Sequence, residues 1–175
     1  ITRSDLLRDL EVAAEVLRRS RPTAVNLFWA IDRMLRVATD ESIDSADAVR
    51  TALIRGAQQL ADEDVAINRR MAEHGAALIK DGDTILTHCN AGALATVDYG
   101  TALGVIRMAH EQGKKIKVFA DETRPRLQGA RLTAWELMRW GIDTTLIADN
   151  AAGHYMRTGV INIICNERNG EVVAV

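Results

Sequence analysis

Cysteine, aromatic residues and an excess of charge of either sign are all scarce in this sequence. Only two cysteines, Cys89 and Cys165, stand among its 175 residues, which argues against a disulfide-stapled secreted fold and favours a reducing, cytoplasmic compartment. Aromatic residues make up 4% and the formal net charge is −2, so neither base-stacking platforms nor a general basic surface for nucleic acid are expected. No apolar run approaches the roughly 18 residues that a membrane-spanning helix needs. We therefore expect neither nucleic acid nor a membrane as a partner.

The residues that are present indicate an ordinary globular protein. Apolar residues make up 47% and charged residues 26% of the chain, a composition that can bury a sizeable core. A length of 175 residues predicts one domain or two small ones. The sequence begins at Ile1 rather than Met, as expected of a fragment or a trimmed chain.

The first part of the chain, residues 1–81, has the pattern of helices. Apolar residues recur every three or four positions from Leu6 to Leu17, which is the spacing of one helix face. Pro22 separates this helix from a second one predicted from about Thr23 to Ala38. A third, long helix is predicted from about Ala48 to Lys80 and ends at the Asp81-Gly82-Asp83 turn.

Residues 82–175 change to short apolar segments that alternate with helical ones. Strands are predicted at Thr84–His88, Ile116–Ala120, Thr144–Ala148 and Val160–Cys165, with helices at Tyr99–Gln112, Gln128–Trp140 and Ala151–Arg157. Strands that alternate with helices of this length are typical of an α/β protein with a parallel sheet. Asn169-Gly170 predicts a tight turn into a last strand. The sequence therefore predicts a helical part, 1–81, followed by an α/β part, 82–175.

Cys89 is the strongest catalytic candidate because it lies just beyond a predicted strand. Ligands of open parallel sheets bind outside the carboxyl ends of the strands. A thiol at such an end, before a glycine-containing loop, could serve as a general acid or base; the alternative is a small, buried and inert cysteine. His88 precedes it, but adjacent strand residues point to opposite faces, so the spacing implies no Cys–His couple. We expect His88 to be packed and hydrogen-bonded.

Two further residues are candidates for contacts with a phosphate or a sugar. Arg21 comes directly before Pro22, at the predicted start of a helix where a cation opposes the helix dipole. A bound phosphate would remove that conflict, but an exposed, solvated arginine is the alternative. Gln128 opens the helix after the second predicted strand and could bond sugar hydroxyls or a phosphate; its alternative is a polar residue at a helix start with no ligand.

Acidic residues at the other strand ends are general acid or base candidates, with loop and capping hydrogen bonds as the alternative. These residues are Asp121, Glu122 and Asp149. The histidines and cysteines show no ligand spacing of the C-x-x-C or H-E-x-x-H type. We therefore expect no metal.

Four segments together resemble signatures of the methylthioribose-1-phosphate isomerase family. The likeness runs in the family's order from about residue 4 to Gly159, which is more specific than any single motif. Archaeal ribose-1,5-bisphosphate isomerases and regulatory subunits of the eukaryotic exchange factor for translation initiation belong to the same wider group. The segments are SRPTAVNL at 20–27, THCNAGALAT at 87–96, DETRP at 121–125 and LQGARLT at 127–133.

The resemblance implies a helical N-terminal part, a Rossmann-like C-terminal part, homodimers and no metal or organic cofactor. It implies an aldose–ketose isomerase of methionine salvage, converting 5-methylthioribose 1-phosphate to 5-methylthioribulose 1-phosphate. Cys89 would match the family's active-site cysteine, and Arg21 and Gln128 its substrate- and phosphate-contacting positions. We expect these three residues to meet in one pocket where the two parts of the chain join.

The sequence departs from the family pattern towards its end. The family has an aspartate in a Gly-Ala-Asp-Arg-like motif, where this chain reads VINIICNER at 160–168. The family's later Asn-Lys pair is missing, and its Arg-Gly-Ala-Pro loop would precede Ile1. Glu167 has no motif that supports it as a substitute. We therefore expect the 175-residue chain alone to be a poor catalyst.

Two other functions stay open from the sequence. One is a non-catalytic regulatory subunit similar to the translation-factor relatives, which would bind a sugar phosphate or another subunit without turnover. The other is a ribose-1,5-bisphosphate isomerase. Cys89 and the motif that follows it favour the methylthioribose-phosphate isomerase.

Overall fold

The structure, a computed structural model, describes residues 1–22, 25–168 and 171–174. The chain forms two compact units, Ile1–Glu63 and Asp64–Val175. The division falls inside the longest helix, whereas the sequence-based boundary after residue 81 stays a prediction. Within the described ranges, no helix is both long and apolar enough to cross a bilayer.

Helices make up the first unit, as the apolar spacing predicts. A reciprocal capping box between Thr2 and Asp5 begins the first helix, and Pro22 follows its end. Small and branched apolar residues such as Ala14 and Ile31 are buried in this unit. The predicted start of the second helix at Thr23 lies outside the described residues. The helices are α1 (Arg3–Ser20), α2 (Val25–Ala38) and α3 (Ala46–Ala76), of which α3 continues into the second unit.

The long helix ends four residues before the predicted Lys80, and the cause lies far away in the sequence. Nζ of Lys114 donates hydrogen bonds to the carbonyls of Ala76, at 2.6 Å, and Ile79, at 2.8 Å. Carbonyl groups at a helix end have no partner within the helix. Lys114 supplies that partner and allows the chain to turn into the sheet.

The second unit contains a five-stranded sheet in the order β3-β2-β1-β4-β5. Strands β1 to β4 are parallel to their neighbours, and β5 is antiparallel to β4. The predicted α/β fold is confirmed; the Asn169-Gly170 turn lies outside the described residues. The strands are β1 (Thr84–Thr87), β2 (Lys117–Asp121), β3 (Asp143–Ile147), β4 (Ile163–Arg168) and β5 (Glu171–Ala174).

Helices cover both faces of the sheet. Ile85 and Val118 belong to one core cluster, together with residues of the first two helices that follow β1, whereas Leu86 and Phe119 belong to a second cluster with the last helix. Successive strand residues point to opposite faces, so the apolar runs of β1 and β2 fill both cores. The helices of this unit are α4 (Ala102–Glu111), α5 (Ala134–Arg139), which a π-helical turn (Gly129–Thr133) precedes, and α6 (Ala152–Arg157).

Two of these helices, α4 and α5, begin three or more residues later than predicted, for local backbone reasons. Tyr99 and Gly100 have φ angles of 75° and 83°, which a right-handed helix cannot contain, so α4 begins at Ala102. A Cβ on Gly100 would stand 2.6 Å from Cα of Gly92, so only glycine fits there. The segment predicted as a helix from Gln128 is π-helical in its first turn.

The strand order identifies where a ligand site belongs. In the order β3-β2-β1-β4-β5 the chain leaves β1 towards β2 on one side, while β4 lies on its other side, so the strand order reverses between β1 and β4. Such a reversal opens a crevice in α/β sheets. Residues His88 and Cys89 follow β1 directly, at this crevice.

Candidate active site

Cys89 stands at the carboxyl end of β1 in an unusual backbone conformation. Its φ angle is 63°, in the left-handed region that non-glycine residues rarely occupy. The residue is half-buried. Left-handed residues other than glycine persist where the surroundings hold them, and they cluster at functional sites.

Two threonines from other elements hold the main chain of Cys89. The Cys89 N–H donates to Oγ1 of Thr123 at 2.8 Å, and the hydroxyl of Thr133 donates to the Cys89 carbonyl. Both threonines are buried. The peptide groups on the two sides of the cysteine are thereby fixed from the loop after β2 and from the π-helical turn.

Asp149, at the end of β3, orders the loop that carries Thr123. Its carboxylate accepts the N–H of Arg124 at 2.8 Å and the N–H of Thr123 at 2.7 Å. These backbone hydrogen bonds lower the pKa of the Asp149 carboxyl from its ordinary 3.8. Thr123 also has a left-handed φ of 62°, so the carboxyl ends of β1, β2 and β3 are joined through strained residues.

His88 and Asp121 form a hydrogen-bonded pair beside the cysteine. Nδ1 of His88 lies 2.9 Å from Oδ2 of Asp121, and their side chains are 45% and 9% exposed. The hydrogen bond that we predicted for His88 is confirmed. The prediction that His88 is packed is wrong, because the strand ends at Thr87 and the imidazole lies at the surface. Burial raises the pKa of the Asp121 carboxyl, against the lowering effect of His88.

The three acidic candidates from the sequence lie in different settings. Asp121 is buried against His88, Asp149 anchors a loop, and Oε1 of Glu122 pairs with the exposed Arg124 at 2.9 Å. Ligating atoms of His88, Asp121 and Asp149 all lie within 4.8 Å of one another. His88 bonds Oδ2 of Asp121 directly and Asp149 already accepts two N–H groups, whereas the buried Oδ1 of Asp121 has no hydrogen-bond partner among the described residues. The side chain of Glu167 lies outside the described residues.

Gln128 lies at the same edge of the sheet as Cys89. It is half-buried and immediately precedes Gly129, where a Cβ would stand 1.6 Å from the Asp121 carbonyl oxygen. Only glycine permits this approach, which draws the start of the π-helical turn onto the end of β2. Whether Gln128 and Cys89 share one pocket stays a prediction.

Arg21 belongs to the first unit and has a different helical setting from the predicted one. It is exposed and caps the carboxyl end of α1, with φ of −145° and ψ of 77°. A cation is favourable at that end of a helix dipole. The predicted start of the next helix at Thr23 lies outside the described residues, so the conflict with that helix start stays a prediction. Its meeting with Cys89 and Gln128 stays a prediction.

Glu136 is a residue of the site that the sequence reasoning missed. It is 2% exposed on α5 and bonds the loop that follows Cys89. Acidic residues are rarely buried so completely without a partner. The sequence did contain one signal of a buried acid, because Glu136 lies between the apolar residues Ala134 and Leu137 of a short helix.

The comparisons with known proteins agree on one family. The sequence pattern of the Initiation factor 2 subunit family matches residues 2–165. Over 160 residues the chain is 61% identical to the methylthioribose-1-phosphate isomerase of Geobacter metallireducens, and the match covers 91% of this chain and 46% of that protein. The chain thus spans slightly less than half the length of this relative.

Two solved structures have the same fold. The 5-methylthioribose 1-phosphate isomerase of Pyrococcus horikoshii is 45% identical, with a TM-score of 0.85 over 95% of this chain and 46% of that one. The translation initiation factor eIF-2B, subunit delta, of A. fulgidus is 52% identical, with a TM-score of 0.80 over 93% of this chain and 47% of that one.

Proposed function

The chain belongs to the initiation factor 2 subunit family, and we propose that its gene product isomerises 5-methylthioribose 1-phosphate to 5-methylthioribulose 1-phosphate. The observation that carries the proposal is Cys89: a half-buried thiol in a left-handed conformation at the carboxyl end of the central strand. The names of the similar isomerases supply the substrate.

The reaction needs proton transfer and an internal shift of hydrogen. The C1–O bond of the sugar ring breaks and the ring oxygen takes a proton. The hydrogen on C2 moves to C1, and the 2-hydroxyl proton leaves, so C2 becomes a ketone. Atoms and electrons balance within the sugar phosphate, so the reaction consumes no external oxidant or reductant.

The chain's own residues have distinct roles in this proposal. Cys89 exchanges a proton with the reacting carbons or their hydroxyl groups. Gln128 and Arg21 hold the sugar and its phosphate, with the guanidinium suited to paired hydrogen bonds. Hydrogen bonds on both sides of Cys89 fix its main chain, which limits the positions that the sulfur can take, as such a transfer requires.

The compartment and the oligomeric state are part of the same proposal. We infer a cytoplasmic homodimer that acts on a small sugar phosphate without a cofactor. Cys89 and Cys165 are both free thiols, in keeping with a reducing compartment. Light scattering of the complete gene product at micromolar concentration tests the dimer, and the mass of a monomer would contradict it.

The substrate is tested by offering two sugar phosphates to the complete gene product. Phosphorus and proton NMR should follow conversion of 5-methylthioribose 1-phosphate and little conversion of ribose 1,5-bisphosphate. The reverse preference would assign the bisphosphate isomerase instead. The likeness to the eIF-2B subunit of A. fulgidus favours a second candidate, a non-catalytic subunit, which binding of either compound without turnover would support.

A further inference from the structure

The carboxylate of Glu136 is held by the loop that follows Cys89. Its Oε1 accepts the side-chain amide of Asn90 at 2.9 Å, and its Oε2 accepts the backbone N–H of Ala93 at 2.8 Å. Glu136 is 2% exposed, so water cannot replace these donors. A carboxylate is acceptor-only, and here each oxygen meets an N–H group.

Gly92 completes the fit between this loop and the carboxylate. A Cβ at Gly92 would stand 2.3 Å from Oε1 and 2.6 Å from Oε2 of Glu136. No real Cβ approaches an oxygen that closely, so the glycine leaves the space that the carboxylate fills. The loop closes around Glu136 from the amide of Asn90 to the N–H of Ala93.

A short chain of hydrogen bonds connects Glu136 with the main chain of Cys89. The amide of Asn90 also donates to the hydroxyl of Thr133, at 3.1 Å, and that hydroxyl donates to the Cys89 carbonyl. Thr133 and Glu136 are three residues apart, about one helical turn. Glu136 and Thr133 therefore hydrogen-bond residues 89–93 from the same helical segment.

We propose that Glu136 is the positioning residue of Cys89. It holds residues 90–93 so that the backbone of Cys89 keeps its left-handed conformation and presents the thiol at the end of β1. The role of that thiol in turnover rests on the proposed function. The positioning itself is independent of any substrate, because it can be measured on the sulfur.

Polarity reversal between two residues tests the proposal. Glu136→Gln keeps the size of the side chain but turns one acceptor into a donor, which then faces either Asn90 or Ala93. Asn90→Asp alone sets two carboxylates against each other. In the double variant the new amide at position 136 can donate to the new carboxylate at position 90 and still accept the Ala93 N–H, so this pairing is restored with its direction reversed. The donation from position 90 to the Thr133 hydroxyl is lost in the double variant as it is in Asn90→Asp alone.

The primary readout is the rate at which iodoacetamide alkylates Cys89 in the 175-residue chain, with peptide mass spectrometry separating it from the buried Cys165. In each single variant, iodoacetamide should alkylate Cys89 at least about 5-fold faster than in the wild type. A buried donor without a partner destabilises the closed loop, and the population in which the thiol is accessible rises by about this factor. The double variant should alkylate Cys89 at least about 2-fold more slowly than Asn90→Asp alone, because a coupled pair recovers part of the loss. In the complete gene product, kcat should follow the opposite order.

A control separates positioning from general loss of stability. Val118→Ala removes buried volume from the core cluster at β2 and should lower the melting temperature without changing the Cys89 alkylation rate. If Glu136→Gln does not fold, Asn90→Ala takes its place, since it removes one of the two donors.

Two results would overturn the proposal: a folded single variant whose Cys89 rate matches the wild type, or a double variant that alkylates as fast as Asn90→Asp alone. Loss of the isomerase assignment is a separate outcome, seen as absence of turnover in the wild-type gene product while the pattern of thiol rates persists.

Discussion

The N–H of Cys89 donates to the hydroxyl of Thr123 at 2.8 Å, and both residues have left-handed backbones, with φ angles of 63° and 62°. Each such conformation costs about 1–3 kcal/mol for a residue other than glycine. Thr123 is β-branched, which makes its conformation the more unusual of the two. The strained backbone of Cys89 after β1 is therefore held by Thr123 after the neighbouring strand β2, whose own backbone is strained.

Removal of the Thr123 hydroxyl should release this arrangement. Thr123→Val leaves the Cys89 N–H without its acceptor, which we expect to lower the free energy of unfolding by about 1–3 kcal/mol and to reduce kcat. Thr123→Ser keeps the hydroxyl and should behave as the wild type. Urea unfolding with a parallel turnover assay measures both effects; equal kcat values for the valine and serine variants would contradict the role of the hydrogen bond.

The sequence predicted those features that local pattern controls. Apolar spacing placed the helices and strands, and the rule for parallel sheets singled out the loop that contains Cys89. Thr123, Thr133 and Glu136 could not be found in that way, because their partners in the Cys89 loop lie 34 to 46 residues away. The early end of α3 has the same explanation, since Lys114 supplies the bonds that end it.

Gly129 should tolerate no side chain. A Cβ there would stand 1.6 Å from the carbonyl oxygen of Asp121, and two backbone segments would have to separate. We expect Gly129→Ala to lower the free energy of unfolding by more than about 3 kcal/mol, a loss typical of severe overpacking. Gly153→Ala is the matched control in α6, where an added Cβ meets nothing within 4 Å among the described residues; it should be neutral or slightly stabilising. Similar melting temperatures for the two variants would contradict the close approach.

Because of Asp149, the free energy of unfolding should depend on pH in the acidic range. The pKa of its carboxyl is lowered in the fold from 3.8, so its contribution is present above that ordinary value and is lost as pH falls through the lowered one. Asp149→Asn retains one acceptor oxygen for the two N–H groups of Thr123 and Arg124. The stability difference between wild type and variant should thus be largest above about pH 5 and shrink as the wild-type carboxyl becomes protonated.

Urea unfolding at a series of pH values measures this difference. Asp143→Asn, at the exposed amino end of β3, controls for the loss of a carboxylate as such and should leave the acid dependence of the wild type in place. A difference between wild type and Asp149→Asn that grows on acidification would contradict the assignment.

The central claim is that Cys89 transfers a proton in an isomerisation. The most direct measurement compares turnover of 5-methylthioribose 1-phosphate by the complete gene product with its Cys89→Ser variant, with Cys165→Ala as the control for a buried thiol. We expect the serine variant to bind the substrate but to lose a factor of about 10² to 10⁴ in kcat, while the control stays within about 2-fold, as a volume-reducing change away from the site allows. A Cys89→Ser variant that turns over at the wild-type rate would contradict the account.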